Sequence, residues 1–218
     1  VTKTELSDMA AEFIAQQLEL AKGISPLAWL ESTNERGQQA FAEATVPTRK
    51  TEDWKYTSLY NLTETGFANS APHAQAHAPV VPGLQANRLV VANGELDTAA
   101  SDAAALELVV RFRDARPEQQ EAIRELLGNV KGERGHLFAD LNDASINDGL
   151  FVLVEKNQRL EHPLHIVYAN TAGDAPFTVN TRLLIALELG SEATVIEHYA
   201  GDDTADGKQN NFTNAVTE

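Results

Sequence analysis

Apolar residues near the start of the chain recur on one helical face: Leu6, Met9, Ala10, Phe13, Ile14 and Leu18. Thr2 and Glu5 precede that stripe as a capping box, T-x-x-E, and Gly23 closes it. Ser25-Pro26 then reads as N-cap and first position of a second helix, with Leu27, Leu30 and Phe41 turned inward. Two antiparallel helices are the simplest expectation. The segment 46–59, V-P-T-R-K-T-E-D-W-K-Y-T-S-L, is dense in charges and aromatics and has no clear period. Residues 68–87, rich in Ala, Pro, His and Gln, suit a flexible linker. A short strand is expected at 88–92, closed by the turn pair Asn93-Gly94. The run 106–112 leans toward strand. Pro117 opens a helix over 117–127 that Gly128 ends, and a short helix is expected at 136–141.

From residue 148 the pattern changes. Short β runs at 150–154, 164–168, 182–189, 194–199 and 212–217 are separated by turn-rich segments. The pattern leaves a sandwich and a β-solenoid both open. Residues 212–218 still read as strand, with no cap or closing helix behind them. A bare strand edge is normally covered, so the natural chain is expected to continue beyond Glu218.

The chain has 218 residues, 43% of them hydrophobic, enough for a substantial core. Its formal charge is −15, from 32 acidic and 17 basic residues. Such a surface repels phosphate backbones and anionic headgroups, so neither nucleic acid nor membrane is an expected partner. There is no cysteine, hence no disulfide, no thiolate nucleophile and no cysteine-ligated cluster within these residues. The start carries Glu5, Asp8, Glu12 and Glu19 and lacks the basic, then apolar, layout of a signal peptide. No apolar run approaches the ~20 residues of a membrane span. A cytoplasmic location is the expectation.

Candidate chemistry is sparse. Arg49, Lys50, Glu52, Asp53, Trp54, Lys55 and Tyr56 form the densest group. They fit either a docking surface or a loop anchored by its aromatics, and packing is the preferred reading. His73 and His77 have metal-ligand spacing if helical, but Pro72 and Pro79 flank them and no third ligand is evident. His136, His162, His165 and His198 read as structural or surface residues. Glu197 and His198 are strand neighbours on opposite faces, not an acid–base pair. Asp202, Asp203, Asp206 and Gly207 resemble a solvated corner without the spacing of a calcium loop. No phosphate-binding or nucleophile-elbow motif occurs. No catalytic, cofactor-binding or metal-binding residue is therefore assigned.

Three segments, in order, resemble the SufB/SufD family of iron–sulfur cluster assembly proteins. P-T-R-K-T-E-D-W-K-Y-T (47–57) is similar to its N-terminal signature. L-N-D-A-S-I-N-D-G-L-F-V-L-V (141–154) resembles its entry into the β core. P-L-H-I-V-Y (163–168) and E-L-G-S-E-A-T-V-I-E-H-Y (188–199) look like its first β-helix rungs. The chain is most similar to the N-terminal half of a D-type subunit. The resemblance implies an α+β chain: a mainly helical domain over 1–145, with the linker near 68–87, then the first rungs of a right-handed parallel β-helix over 146–218. It implies a non-catalytic scaffold acting with a SufB-type paralogue and a SufC-type ABC ATPase, and a family that forms heterodimers and can form homodimers. Iron or cluster is expected only in the full complex. The alternative is a carbohydrate-active β-helix enzyme, a polysaccharide lyase or hydrolase. Such enzymes line a groove with carboxylates or basic residues, and no such ladder is visible here.

Overall fold

A computed structural model describes residues 3–69, 77–129, 136–171, 175–201 and 211–218. In chain order the helices are α1 (Lys3–Lys22), α2 (Glu31–Glu43), α3 (Tyr60–Thr63), α4 (Ala103–Leu106), α5 (Pro117–Leu126) and α6 (Leu137–Ala144). The strands are β1 (Ala68–Asn69), β2 (Asn87–Ala92), β3 (Glu95–Leu96), β4 (Val109–Arg111), β5 (Leu150–Val154), β6 (Leu164–Asn170), β7 (Phe177–Leu187), β8 (Val195–Gly201) and β9 (Phe212–Thr217). The chain is a mixed α+β structure.

After residue 149 the chain alternates between two sheets. Strands β5, β7 and β9 pair in parallel in sheet A, where β1 is also parallel to β7 and β4 is an antiparallel edge. Strands β2, β6 and β8 pair in parallel in sheet B, with β3 antiparallel to β2. Strands from before residue 145 thus pair with strands after it: β2 with β6, and β4 with β5. The turn at Asn93 (φ 48°) and Gly94 (φ 88°) joins β2 to β3, and both residues take the positive φ such a tight hairpin requires.

Side-chain alternation sets the layers. Leu150, Val152 and Val154 on β5, Leu164, Ile166 and Tyr168 on β6, Leu89 and Val91 on β2, and Leu183 on β7 form the core between the sheets. The other face of sheet A is covered in two patches. Phe151 and Leu184 pack with Leu30, Phe112, Ile123 and Leu127, and so with α5. Further along, Phe212 packs with Phe13, Phe41 and Leu141 from the helices and with Phe67 just before β1. Gln17 on α1, 1% exposed, exchanges hydrogen bonds of 3.3 Å with Thr178 on β7.

Several elements depart from the sequence expectations. The second helix does not begin at Ser25-Pro26. Leu27 is extended (ψ 138°), a 3₁₀ turn follows at Ala28–Leu30, and α2 starts at Glu31. Leu30 is fully buried and Trp29 packs on Phe112 at 5.9 Å between ring centroids, so tertiary contacts set the helix start. The 106–112 run divides into the end of α4, the three-residue β4 and a 3₁₀ turn at Phe112–Asp114. Strand β7 begins at Phe177, five residues before its expected start. Its early residues carry Thr178 and Asn180, polar positions that bond to neighbouring elements and hide the strand in the sequence. Within 68–87, residues 68–69 form β1, 77–86 have no regular structure, and 70–76 lie outside the described residues.

Candidate functional site

The densest buried polar chemistry lies where α6 meets sheet A. The sequence L-N-D-A-S-I-N-D-G (141–149) makes the last turn of α6 and the approach to β5. Leu141 and Ala144 enter the apolar layer while Asn142 faces the strands, 1% exposed. Its amide nitrogen donates to the carbonyls of Thr181 and Asn214, both at 2.9 Å, joining the helix to β7 and β9. Its Oδ1 accepts from Arg182 Nε at 2.9 Å. Arg182 Nη2 donates to Asp143, and Nη1 to Glu218 Oε2 at 3.1 Å. The guanidinium is fully buried, and the Glu218 side chain is 3% exposed. Glu218 Oε2 also accepts the backbone N–H of Gly128, just past α5, at 3.0 Å. One arginine thereby ties together β7, α6 and the chain segment after β9. Removing one member of such a buried network leaves uncompensated charge, at a cost of about 3–5 kcal/mol.

Close backbone contact supports this seam. Asn34 on α2 donates to the Ala144 carbonyl at 2.5 Å. A Cβ at Gly37 would lie 2.3 Å from Ala144 N and 2.5 Å from Asp143 C, so α2 can sit this close to α6 only with glycine there. A Cβ at Gly149 would lie 2.7 Å from the Phe112 ring. Beside it, the Asp148 carboxylate accepts from Arg113, whose Nη2 also reaches Glu95 Oε1 at 3.2 Å. This outer pair is partly solvated and contributes less than the Arg182 network.

The charged and aromatic segment 49–56 divides in its roles. Successive turns wind it, from Thr51 N–H on Thr48 to Thr57 N–H on Trp54. Trp54 is half-buried and packs on Phe138 of α6 at 5.6 Å and on His136 at 6.3 Å between centroids. Phe138 in turn meets Phe212 of β9 at 5.7 Å. Tyr56 does not anchor the loop: it is 87% exposed, with Lys55 Nζ 5.4 Å from its ring centre.

The histidines and carboxylates are scattered. His73 and the cluster Asp202, Asp203, Asp206 and Gly207 lie outside the described residues. His77, His136 and His162 are exposed. Glu197 shares the core-facing register of Tyr168 and Tyr199, accepting from the Tyr199 and Thr217 hydroxyls at 2.8 Å each. His198 is on the opposite face, against His165. Burial, followed by Glu197 and Tyr199, pushes the Tyr168 phenol well above its usual range. Burial and the bond to Glu197 raise that of Tyr199. Among the described residues no group of three or more His, Cys, Asp or Glu gathers to hold a metal. A cleft lined by Gly94, Arg111, Asp148 and Thr181 encloses about 30 Å³, far below the ~300 Å³ at which small-molecule sites begin. The polar groups of the α6 seam hold elements together. Sequence reasoning singled out 141–154 as a segment but missed Arg182 as its partner. The available signal was an arginine at the head of the apolar strand run R-L-L-I-A-L (182–187).

Comparison with known proteins bears on the same segments. The family model for the SufBD protein N-terminal region matches residues 12–166. A Synechocystis protein described as an iron–sulfur cluster assembly SufBD family protein is 26% identical over 184 residues, 79% of this chain and 40% of the relative. Iron–sulfur cluster assembly protein SufD of Escherichia coli is 30% identical over 159 residues, 71% of this chain and 35% of the relative. The match thus covers less than half the length of either relative.

Proposed function

This chain belongs to the SufBD family, and on that premise we propose that it serves as a non-catalytic scaffold subunit in iron–sulfur cluster assembly. The observation that carries the reading is the coincidence of the family match with the built seam. Residues 12–166 take in the segment whose Asn142 and Asp143 bond Arg182. Its dominant chemistry fixes a helical layer to a strand stack. Both relatives named above are described as cluster assembly proteins, and neither as acting on carbohydrate.

In this reading the alternation of β5 through β9 between two parallel sheets is the start of a right-handed parallel β-helix. The mainly helical part over 1–145 acts as its base and contributes β2 and β4 as flanking strands, and the β-helix core begins at 146. The partners are a SufB-type paralogue and a SufC-type ATPase, and the location is the cytoplasm. The chain has no cysteine, so thiolates that hold the cluster cargo come from other subunits or other residues. Among the described residues no helix is long and apolar enough to cross a membrane.

The test is a pull-down with full-length tagged protein from native lysate, read by mass spectrometry. Recovery of an ABC-type ATPase together with a paralogous β-rich protein is expected. A folded bait that recovers neither contradicts the scaffold reading.

A further inference from the structure

The outer face of sheet B carries an arrangement that the scaffold reading does not use. On β6 the core takes Leu164, Ile166 and Tyr168, so His165 points the other way. It is nevertheless only 3% exposed. Its Nε2 lies 3.4 Å from Nδ1 of His198 on β8, and the two rings are nearly parallel, 13° apart with centroids at 5.5 Å. On the other side, Arg88 of β2 occupies the register position paired with His165. Its guanidinium is turned toward the carbonyls of Ala78, at 2.6 Å, and Ala100, at 3.5 Å. Strand β8 pairs with β6 and has no second neighbour among the described residues.

The charged neighbour that acts on His165 beside His198 is the cation Arg88. Strand β2 offers Arg88, while Asp102 is engaged by the Arg88 backbone N–H at 2.8 Å. Strand β8 offers His198 itself. Glu197 and Tyr199 are in the opposite-face register, and Glu197 is bonded to Tyr199 and Thr217. No carboxylate contact with either ring stands among the described hydrogen bonds and ion pairs.

We propose that His165 and His198 form a proton-sensitive latch that ties strand β8 to strand β6 when both rings are neutral and releases it when they are protonated. In the neutral pair one ring N–H donates to the other ring's unprotonated nitrogen, which gives the buried ring of His165 a polar partner. A second proton leaves two N–H donors facing each other. It also lines up three cations on adjacent strands, Arg88, His165 and His198. That repulsion acts across the β6–β8 ladder and is relieved by β8 moving away. Burial, then His198, then Arg88, lowers the proton affinity of His165. A group depressed in the folded state contributes stability above its ordinary pKa of about 6.5, and that contribution is lost as pH falls through the lowered value. The latch is therefore closed at neutral pH and opens under mild acid. It does not depend on the cluster assembly role.

The test is amide hydrogen exchange of β6 and β8 at pH 7.5 and pH 5.5, corrected for intrinsic rates, in the protein and in His198→Gln and His165→Gln. His198 is half-exposed, so its variant is expected to fold. The expected result is opening of β8 several-fold more frequent at the lower pH, while β6 changes less. The acid response disappears in His165→Gln and shrinks in His198→Gln, where burial and Arg88 still act on His165. Equal protection of β8 at both pH values, or the same acid response in a folded His198→Gln protein, overturns the proposal. Zinc titration followed by histidine ring NMR adds a check: tight metal binding at the pair would make it a metal site and also overturn the latch.

Discussion

Arg182 and His165 occupy comparable positions and meet opposite fates. Each is on a strand face turned away from the inter-sheet core, and each is nearly inaccessible, at 2% and 3% exposure. Arg182 is met by two carboxylates and an amide oxygen, from Asp143, Glu218 and Asn142. His165 is met by a second imidazole, with an arginine at the neighbouring register position. A buried guanidinium does not give up its proton and so requires fixed anions; a buried imidazole sheds its charge instead. Sheet A is thus fastened by charge to its helical cover. Sheet B holds β8 without an ion pair among the described residues, through its ladder to β6 and the imidazole pair. The surrounding strands agree with this division: β7 is buried over most of its length, whereas β8 is half-exposed throughout.

The largest predicted effect breaks the charged side of this comparison. Arg182→Met removes the buried cation that Asp143 and Glu218 share and is expected to cost about 3–5 kcal/mol in urea denaturation. Arg113→Ala, at the more exposed Asp148 and Glu95 pair, is expected to cost no more than about 1 kcal/mol. Near-equal losses for the two would show that burial does not set their difference.

Next in size is the fit of α2 against α6. Gly37→Ala places a methyl group against the backbone at Asp143 and Ala144, at an expected cost of about 1–3 kcal/mol. An unchanged denaturation midpoint would mean the helices separate freely and the seam is not built on close approach.

Trp54→Ala sharpens the account at its rim. Loss of the Phe138 and His136 contacts is expected to lower stability by about 1–2 kcal/mol, while Tyr56→Ala stays within about 0.5 kcal/mol. Thermal melts of the two variants side by side check this. The reverse order would make Tyr56 the anchor.

The smallest effect concerns the alkaline side of the inter-sheet face. The folded state holds the Tyr168 proton more tightly than the unfolded chain, whose phenol titrates near pH 10. Its contribution is complete below that value and is lost as pH rises above it, by about 1 kcal/mol at pH 11. Tyr168→Phe is expected to flatten the stability curve between pH 10 and 11; an unaltered slope would show that Tyr168 is not its source.

Much of the fold was readable from local patterns, and the reasons differ by element. Strands β5 and β9 are continuous short runs between turn signals, and their limits match expectation. Helix α1 and helix α5 carry their own stop signals, Gly23 and Gly128. The start of α2 was not readable, because Leu27, Trp29 and Leu30 answer to Phe112 and Ile123, far away in sequence. The early part of β7 was hidden because Thr178 and Asn180 serve hydrogen bonds to other elements. The family-like segment 141–154 was recognisable as a string, but its meaning needed geometry. Asn142 and Asp143 acquire a role only when Arg182 and Glu218, 40 and 75 positions after Asn142 and Asp143 respectively, arrive beside them.

Region-resolved hydrogen exchange at neutral pH tests most directly the claim that a charge-fastened seam and a neutral edge coexist in one molecule. The account predicts that amides of α6 and β7 share the slowest exchange class, set by global unfolding, and that β8 exchanges measurably faster through its own opening. Exchange of β8 as slow as that of β7, or of α6 as fast as that of β8, would contradict it.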